Sequence, residues 1–201
     1  MNLNLGGGKD WSEKGWKNLD LDNGYDLSEK YLTDFPDESV ALIYTSHCIE
    51  HIEFKKAYRL LVDCYRVLKK EGTIRIVVPD VDILSDILLN KNFEWLKKRN
   101  SFYYSQVPDL VFLDHIFELS GLSGALLGDS SSTDHKSFFS FSVLSIMLTN
   151  IGFKNVKKCE FCVSDIEGLR QEATLNTSGM PIKGFDNKKT AFLSLYMEAT
   201  K

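Results

Sequence analysis

The strongest constraint on the fold is the order of short apolar segments, glycines and acids in residues 2–80. Strands are predicted at residues 2–5, 18–21, 41–44 and 73–78, and glycines or acids follow several of them. Strands that alternate with crossover segments pair in parallel. Their carboxyl ends then meet at one edge of the sheet, in a crevice that suits a nucleotide. The sequence therefore predicts a nucleotide-type ligand before any catalytic residue is considered.

The same alternation continues after one long interruption. Apolar residues at helical spacing predict a helix at 54–70, and Gly72 is expected to end it because glycine is preferred just past a helix. The further elements predicted in this way are helices at 81–98 and 141–150 and strands at 156–163 and 191–198. We expect a single domain over residues 1–201, with a helical or loop insertion at about 81–140.

Composition excludes several classes of protein. A hydrophobic content of 43% supports a packed core. A net charge of −4 gives no basic surface for nucleic acid, so no nucleic-acid partner is expected. No apolar run reaches the ~18 residues of a membrane span, and no signal peptide is recognisable. We therefore expect a cytoplasmic protein without a membrane partner.

The four cysteines suit a reduced compartment and do not suggest a disulfide framework. Cys159 and Cys162 have the spacing of half a metal site. Within the strand predicted at 156–163, however, residues three apart face opposite sides of the sheet. The interpretation is therefore buried structural cysteines, and no metal ion is expected.

Several short motifs then point to a known family. In chain order they are LNLGGG at residues 3–8, GWKNLD at 15–20, FPDESV at 35–40, YTSHCIEHI at 44–52, YRVLKKEG at 65–72, Pro79-Asp80, IGF at 151–153 and LYMEA at 195–199. The chain resembles the class I S-adenosylmethionine-dependent methyltransferases. More narrowly, it resembles the small "methyltransferase type 11"-like proteins associated with surface-polysaccharide genes.

The resemblance implies an α/β, Rossmann-like fold. Its sheet would have seven mostly parallel strands, helices on both faces and an antiparallel last strand beside residues 156–163. The chain departs from this pattern in two places. Residues 8–18 leave no room for a full helix, and no helical lid is expected before the first strand.

The resemblance also implies which residues bind S-adenosylmethionine. Glycine lets backbone come close to a ligand, and Asp20 would accept both ribose hydroxyls, with Asp22 as the alternative. Asp26 and Leu27 would meet the adenine. The full set expected to bind the cofactor is Leu5, Gly6, Gly7, Gly8, Asp20, Leu21, Asp26, Leu27, Ser46 and His47. Glu50 and His51 follow, and capping of the next helix explains them as well as chemistry does.

Methyl transfer needs in-line placement of the two reactants, and an alcohol acceptor also needs a base. The candidates for the base are His47, His115, His135 and Asp80, although a structural role explains each histidine somewhat better than a catalytic one. We expect a loop at 121–135 to lie over the carboxyl ends of the strands and to bring His135 towards Ser46 and His47.

The acceptor pocket is expected from residues 81–140 and 164–188. Aromatic side chains there suit stacking on a sugar or ring, although packing in a helical core explains each of them better; they are Trp95, Phe102, Tyr103, Tyr104, Phe112 and Phe117.

The favoured function is methyl transfer from S-adenosylmethionine to a small-molecule or saccharide acceptor. A non-catalytic methyltransferase-like binding protein is the main alternative, because the shortened glycine region would also fit an eroded pocket. A nicotinamide-dependent oxidoreductase is a weaker alternative. The G-x-G-x-x-G spacing is missing, and Asp20 comes too early to be its ribose acid. The oligomeric state stays open.

Overall fold

The computed structural model describes residues 1–9, 11–90, 135–170 and 194–201. These residues form a six-stranded sheet with the order β2-β1-β3-β4-β6-β5. The strands are β1 Asn2–Leu5, β2 Trp16–Leu19, β3 Val40–Ser46, β4 Leu68–Pro79, β5 Lys154–Cys159 and β6 Ser194–Thr200. The helices are α1 Phe54–Val67, α2 Val81–Leu89 and α3 Phe141–Ile151.

The sheet is parallel except for one strand. β1 pairs in parallel with β2 and β3, and β3 pairs in parallel with β4. β6 is antiparallel to both of its neighbours, β4 and β5. The prediction of an antiparallel last strand beside the preceding one is therefore confirmed, as is the Rossmann-like α/β class.

Residues 20–39 contain no strand, although the family pattern has a third strand between β2 and β3. They form a short 3-10 helix, Leu21–Asn23, followed by turns. The side chain of Asp20 accepts the N–H of Asp22, and Gly24 ends the helix with a φ of 76°. These local bonds satisfy backbone groups that a strand would pair with neighbours. The described sheet therefore has six strands where seven were expected.

Gly72 does not end α1, contrary to the sequence prediction. The helix ends at Val67, and Leu68 is already extended. Gly72 lies inside β4, where an added Cβ would be 2.8 Å from the carbonyl oxygen of Lys69. The positive φ, 61°, belongs to Glu71 instead. Gly72 is thus a site of close backbone approach and not a helix cap.

The cysteine prediction also needs correction. β5 starts at Lys154 and ends at Cys159, and Cys162 lies in the turn beyond it with a φ of 55°. Cys159 and Cys162 therefore do not share a strand, and both are half-buried where full burial was expected.

The larger part of the core lies between one face of the sheet and the helices α1 and α3. The apolar stripe of α1, which includes Leu60, Leu61 and Cys64, is fully buried there. A smaller cluster on the opposite face joins Tyr44, Val77 and Leu169, among others. Both faces of the central strands are thus covered, as a nearly continuous apolar strand requires.

Several predicted features lie outside the described residues. They include His115, the aromatic residues from Trp95 to Phe117, and the loop at 121–134. Among the helices that are described, none has the length and apolar character needed to cross a membrane.

Candidate functional site

A cleft of about 370 Å³ opens at the carboxyl ends of β1, β2 and β3. Parallel strands place the residues that follow them at the same sheet edge, so Gly6, Asp20 and His47 meet here although they are distant in sequence. The lining residues are Gly6, Asp20, Leu21, Tyr25, Asp26, Leu27, Ser28, His47, Cys48, His51, Ile52 and Lys136.

The glycine turn is shaped by contacts within the protein. Gly6 has a φ of 76°, and a Cβ there would overlap the Cys48 side chain. Gly7 has no room either, because its Cβ would run into the side chains of Asn4 and Asn18. Gly6 therefore lines the cleft as bare backbone, which lets a ligand approach the main chain closely.

Asp20 lines the cleft, and both of its carboxylate oxygens accept hydrogen bonds from backbone N–H groups. Oδ2 accepts the N–H of Gly8 at 2.8 Å, and Oδ1 accepts the N–H of Asp22 at 2.9 Å. The glycine turn after β1 is thereby tied to the end of β2. Because each carboxylate oxygen can accept a second hydrogen bond, Asp20 retains acceptor capacity towards the cleft.

Asp26 and Leu27 form the neighbouring wall together with Tyr25. Oδ1 of Asp26 accepts the Ser28 N–H at 2.8 Å and the Ser28 hydroxyl at 2.7 Å. The Ser28 hydroxyl is the main cause of the lowered pKa of Asp26, so this carboxyl group is ionised at neutral pH. Burial raises the pKa of Tyr25 to about 12, and nearby Asp34 adds to the effect, so Tyr25 presents a neutral ring.

His47 is held between two partners. Its Nδ1 lies 3.1 Å from Oε1 of Glu50, and its Nε2 lies 3.2 Å from Oγ of Ser194. The backbone of His47 is left-handed, with a φ of 48°, and its N–H bonds to the Val77 carbonyl at 2.9 Å. Left-handed backbone at a non-glycine residue is costly and concentrates at functional sites.

Glu50 is buried beneath the cleft with 1% of its surface exposed. Burial alone would raise the pKa of its carboxyl group, but the hydrogen bond from His47 and the charges of His47 and His51 outweigh burial, so the pKa is lowered. Glu50 is therefore an anion that orients His47. This differs from the capping role considered for it, because Glu53 is the N-cap residue of α1.

His135 lies beside His51, which lines the cleft. Its ring meets the His51 ring edge to face, with 4.8 Å between centroids. The backbone N–H groups of Lys136 and Ser137 donate to the Glu50 carbonyl at 2.7 and 3.0 Å. The segment that carries His135 is thus attached to the turn that carries Glu50 and His51.

Six of the ten residues expected to bind the cofactor line the cleft: Gly6, Asp20, Leu21, Asp26, Leu27 and His47. The structure places Leu5, Gly7, Gly8 and Ser46 next to these residues but not in the lining. Leu5 is fully buried in the core. Sequence reasoning missed Tyr25, Ser28, Cys48, Ile52 and Lys136. Of these, Tyr25, Ser28, Cys48 and Lys136 are each directly next to a predicted site residue in the sequence.

Asp80 is placed differently from the other candidates for the base. It is fully buried, and it pairs with the Lys158 ammonium at 2.9 Å through Oδ2. Its Oδ1 accepts the N–H of Asp82 at the start of α2. Asp80 therefore links β4, α2 and β5 and is not part of the cleft lining.

Comparison with known proteins agrees with this geometry. Residues 17–76 match the family described as "Methyltransferase domain". No curated protein sequence matches the chain. The fold resembles that of a SAM-dependent methyltransferase from Archaeoglobus fulgidus, with a TM-score of 0.51 and 16% identity over 100% of this chain and 85% of that one.

A second solved structure gives the same result. An S-adenosylmethionine-dependent methyltransferase from Mesorhizobium loti aligns with a TM-score of 0.50 and 15% identity, over 100% of this chain and 90% of that one. At such identities the similarity establishes the fold. The chain therefore has the Rossmann-like fold of these two S-adenosylmethionine-dependent methyltransferases, and residues 17–76 match the methyltransferase domain.

Proposed function

We propose that the protein transfers a methyl group from S-adenosylmethionine to a small-molecule or saccharide acceptor, in the manner of the polysaccharide-associated proteins that its motifs resemble. The observation that carries this proposal is the cleft itself. It joins Gly6, Asp20 and His47 from the ends of three adjacent strands with a second carboxylate, Asp26, from the turn that follows β2. An adenosine with a charged amino-acid end requires such a mixture of close backbone, hydrogen-bond acceptors and apolar surface.

The residues of the cleft fit the parts of the cofactor. Asp20 would accept the ribose hydroxyls with the lone pairs that its two backbone bonds leave over. The ionised Asp26 would accept from the adenine amino group, and Leu27 and Tyr25 would pack on the ring. Gly6 would admit the methionine end. Bound S-adenosylmethionine supplies an electrophilic methyl group on a positively charged sulfur.

His47 is the base that this arrangement favours. With its Nδ1–H donated to Glu50, the imidazole presents the lone pair of Nε2, where the Ser194 hydroxyl now lies. An acceptor hydroxyl in place of Ser194, or next to it, would give its proton to Nε2 as the oxygen attacks the methyl carbon. The buried Glu50 anion would then stabilise the imidazolium that forms.

Calorimetry with S-adenosylhomocysteine and with NAD⁺ tests the proposal. We expect S-adenosylhomocysteine to bind and NAD⁺ not to bind. Consumption of S-adenosylmethionine with a panel of phenols, amines and sugars then tests catalysis. Binding of S-adenosylhomocysteine without turnover on any acceptor would favour the non-catalytic alternative, and absence of binding would contradict the proposal.

A further inference from the structure

We propose that Glu50, His51 and His135 form a binding site for one divalent transition-metal ion, with Zn²⁺ as the representative ion. A carboxylate oxygen and one ring nitrogen from each histidine all lie within 4.8 Å of one another. Two histidines and one glutamate are also the protein ligands of a well-known class of catalytic zinc site. Spacing along the sequence does not reveal this cluster, since His135 is far from the other two residues along the chain.

The carboxylate of Glu50 supplies the first argument for a cation. Oε1 is bonded to His47, but Oε2 is buried and has no hydrogen-bond partner among the described residues. A buried carboxylate oxygen without a partner costs free energy, and a metal ion removes that cost directly. Glu50 would then bridge His47 and the metal ion, one oxygen to each.

The backbone supplies the second argument, because it holds the ligands together. Glu50 and His51 are consecutive residues of the 3-10 turn Ile49–His51. His135 is held beside that turn by the bonds of Lys136 and Ser137 to the Glu50 carbonyl. The Ser137 hydroxyl adds a bond of 2.6 Å to the carbonyl of Ile52. The third ligand is thus fixed by hydrogen bonds next to the first two.

The separations require only a small adjustment. In a tetrahedral zinc site with bonds of ~2.0–2.1 Å, ligand atoms lie roughly 3.3 Å apart. Binding of the ion would draw these atoms together from separations of up to 4.8 Å, through rotation of the two half-buried imidazole rings. The rings already touch, so the metal ion would replace a ring–ring contact.

The location of the site suggests what the ion does. His51 lines the cleft, so a fourth coordination position would be open to a ligand there. If the proposed function holds, an acceptor hydroxyl could bind the ion through its oxygen. The ion would lower the pKa of that hydroxyl, and the proton would pass to His47. The acceptor class would then be one with an oxygen that can coordinate a metal ion, such as a vicinal diol or a phenol.

Zinc titration of the chelator-treated full chain, followed by calorimetry, tests the site without cofactor or acceptor. We expect a single ion per chain and a higher unfolding temperature with Zn²⁺. His51→Ala and His135→Ala should each weaken binding by more than ~100-fold, since loss of a mere second-shell partner already costs 10–100-fold.

Cys159→Ser is the matched control, because Cys159 is a half-buried free cysteine that does not line the cleft. It should bind Zn²⁺ as the unmodified protein does, and circular dichroism should show that every variant is folded. The proposal is overturned if the unmodified protein binds no Zn²⁺, or if both histidine variants keep full affinity. Binding of S-adenosylhomocysteine by the metal-free protein is measured separately, so failure of the metal site is distinguishable from failure of the proposed function.

Discussion

At the scale of the single residue, Asp20 has two roles. Its carboxylate ties Gly8 to the turn after β2, and it also lines the cleft. The sequence could predict an acid at this strand end, because the motif places it there. It could not predict the two backbone bonds, since they depend on how closely β1 and β2 approach. A substitution at Asp20 therefore affects both the ligand and the shape of the glycine turn.

Asp20→Ala should weaken binding of S-adenosylhomocysteine by about 1.5–3 kcal/mol, the range for a lost hydrogen bond to a charged group. Isothermal titration calorimetry measures this loss, and circular dichroism checks that the variant is folded. Asp22→Asn is the control, because Asp22 is an exposed acid two residues away that does not line the cleft. Equal affinities for Asp20→Ala and the unmodified protein would refute the ribose assignment.

Gly6→Ala should destabilise the protein more than Gly24→Ala. Both glycines have a φ of 76°, where an L-residue loses roughly 1–2 kcal/mol. At Gly6 the new methyl group would also overlap Cys48, whereas nothing lies within 4 Å at Gly24. Urea unfolding of the two variants separates the steric cost from the backbone cost. Equal losses of stability would mean that the turn after β1 can relax away from Cys48.

At the scale of elements, hydrophobic pattern predicted which segments form strands and helices but not where each one ends. β1 matches the prediction at both ends, because a glycine turn follows it directly. β2 starts and ends two residues earlier than predicted, since Asp20 is used as a cap and not as the end of the strand. The predicted end of α1 was wrong, because Gly72 lies at a close backbone contact inside β4 and does not cap the helix.

β6 should be indispensable for folding, because β5 is joined to the rest of the described sheet only through its pairing with β6. Deletion of residues 190–201 should give an insoluble or unfolded product, since six of the seven strand residues, Ser194–Ala199, are buried. Expression and a cooperative thermal melt test this expectation. A soluble truncated chain with a cooperative transition would show that the remaining strands form a stable sheet without β6.

At the scale of the whole molecule, a buried ion pair fixes β6 against β4. Arg75 is fully buried in β4 and faces Glu198, its register partner in β6, with 2.8 Å between Nη1 and Oε1. Arg75 also donates to the carbonyls of Glu160 and Val163 in the turn after β5. A charged residue in an otherwise apolar strand was visible in the sequence, but its partner 123 residues away was not.

Arg75→Met should cost about 3–5 kcal/mol of unfolding free energy, because it leaves the Glu198 carboxylate buried without its main partner. The double variant Arg75→Met with Glu198→Met should be more stable than the single one, since no uncompensated charge remains. Urea denaturation measures both. Lys56→Met, which breaks an exposed pair with Glu29, is the control and should have little effect. A double variant no more stable than Arg75→Met would contradict this account.

The candidate site was predictable to the extent that strand ends define it. The positions of Gly6, Asp20 and His47 follow from parallel strands and their order, whereas Asp26 was implied only by the family resemblance. The contact of His51 with His135 comes from segments that meet only in the folded chain. The contact of Glu50 with His47, three residues away, depends on the local backbone of the turn that carries them. No pattern of spacing along the sequence reports such a meeting. The cofactor side of the cleft was therefore more accessible to sequence reasoning than its histidine side.

The position of β6 also has a consequence for the order in which the molecule assembles. β5 ends at Cys159, but its sheet neighbour does not begin until Ser194, and that neighbour must enter between β4 and β5. During synthesis, β5 therefore cannot pair with β6, and the Arg75 guanidinium cannot pair with Glu198, until Ser194–Thr200 has been made. Long sequence separation between partners slows folding, so a chaperone that shields the unpaired edge of β4 would increase the yield of native protein.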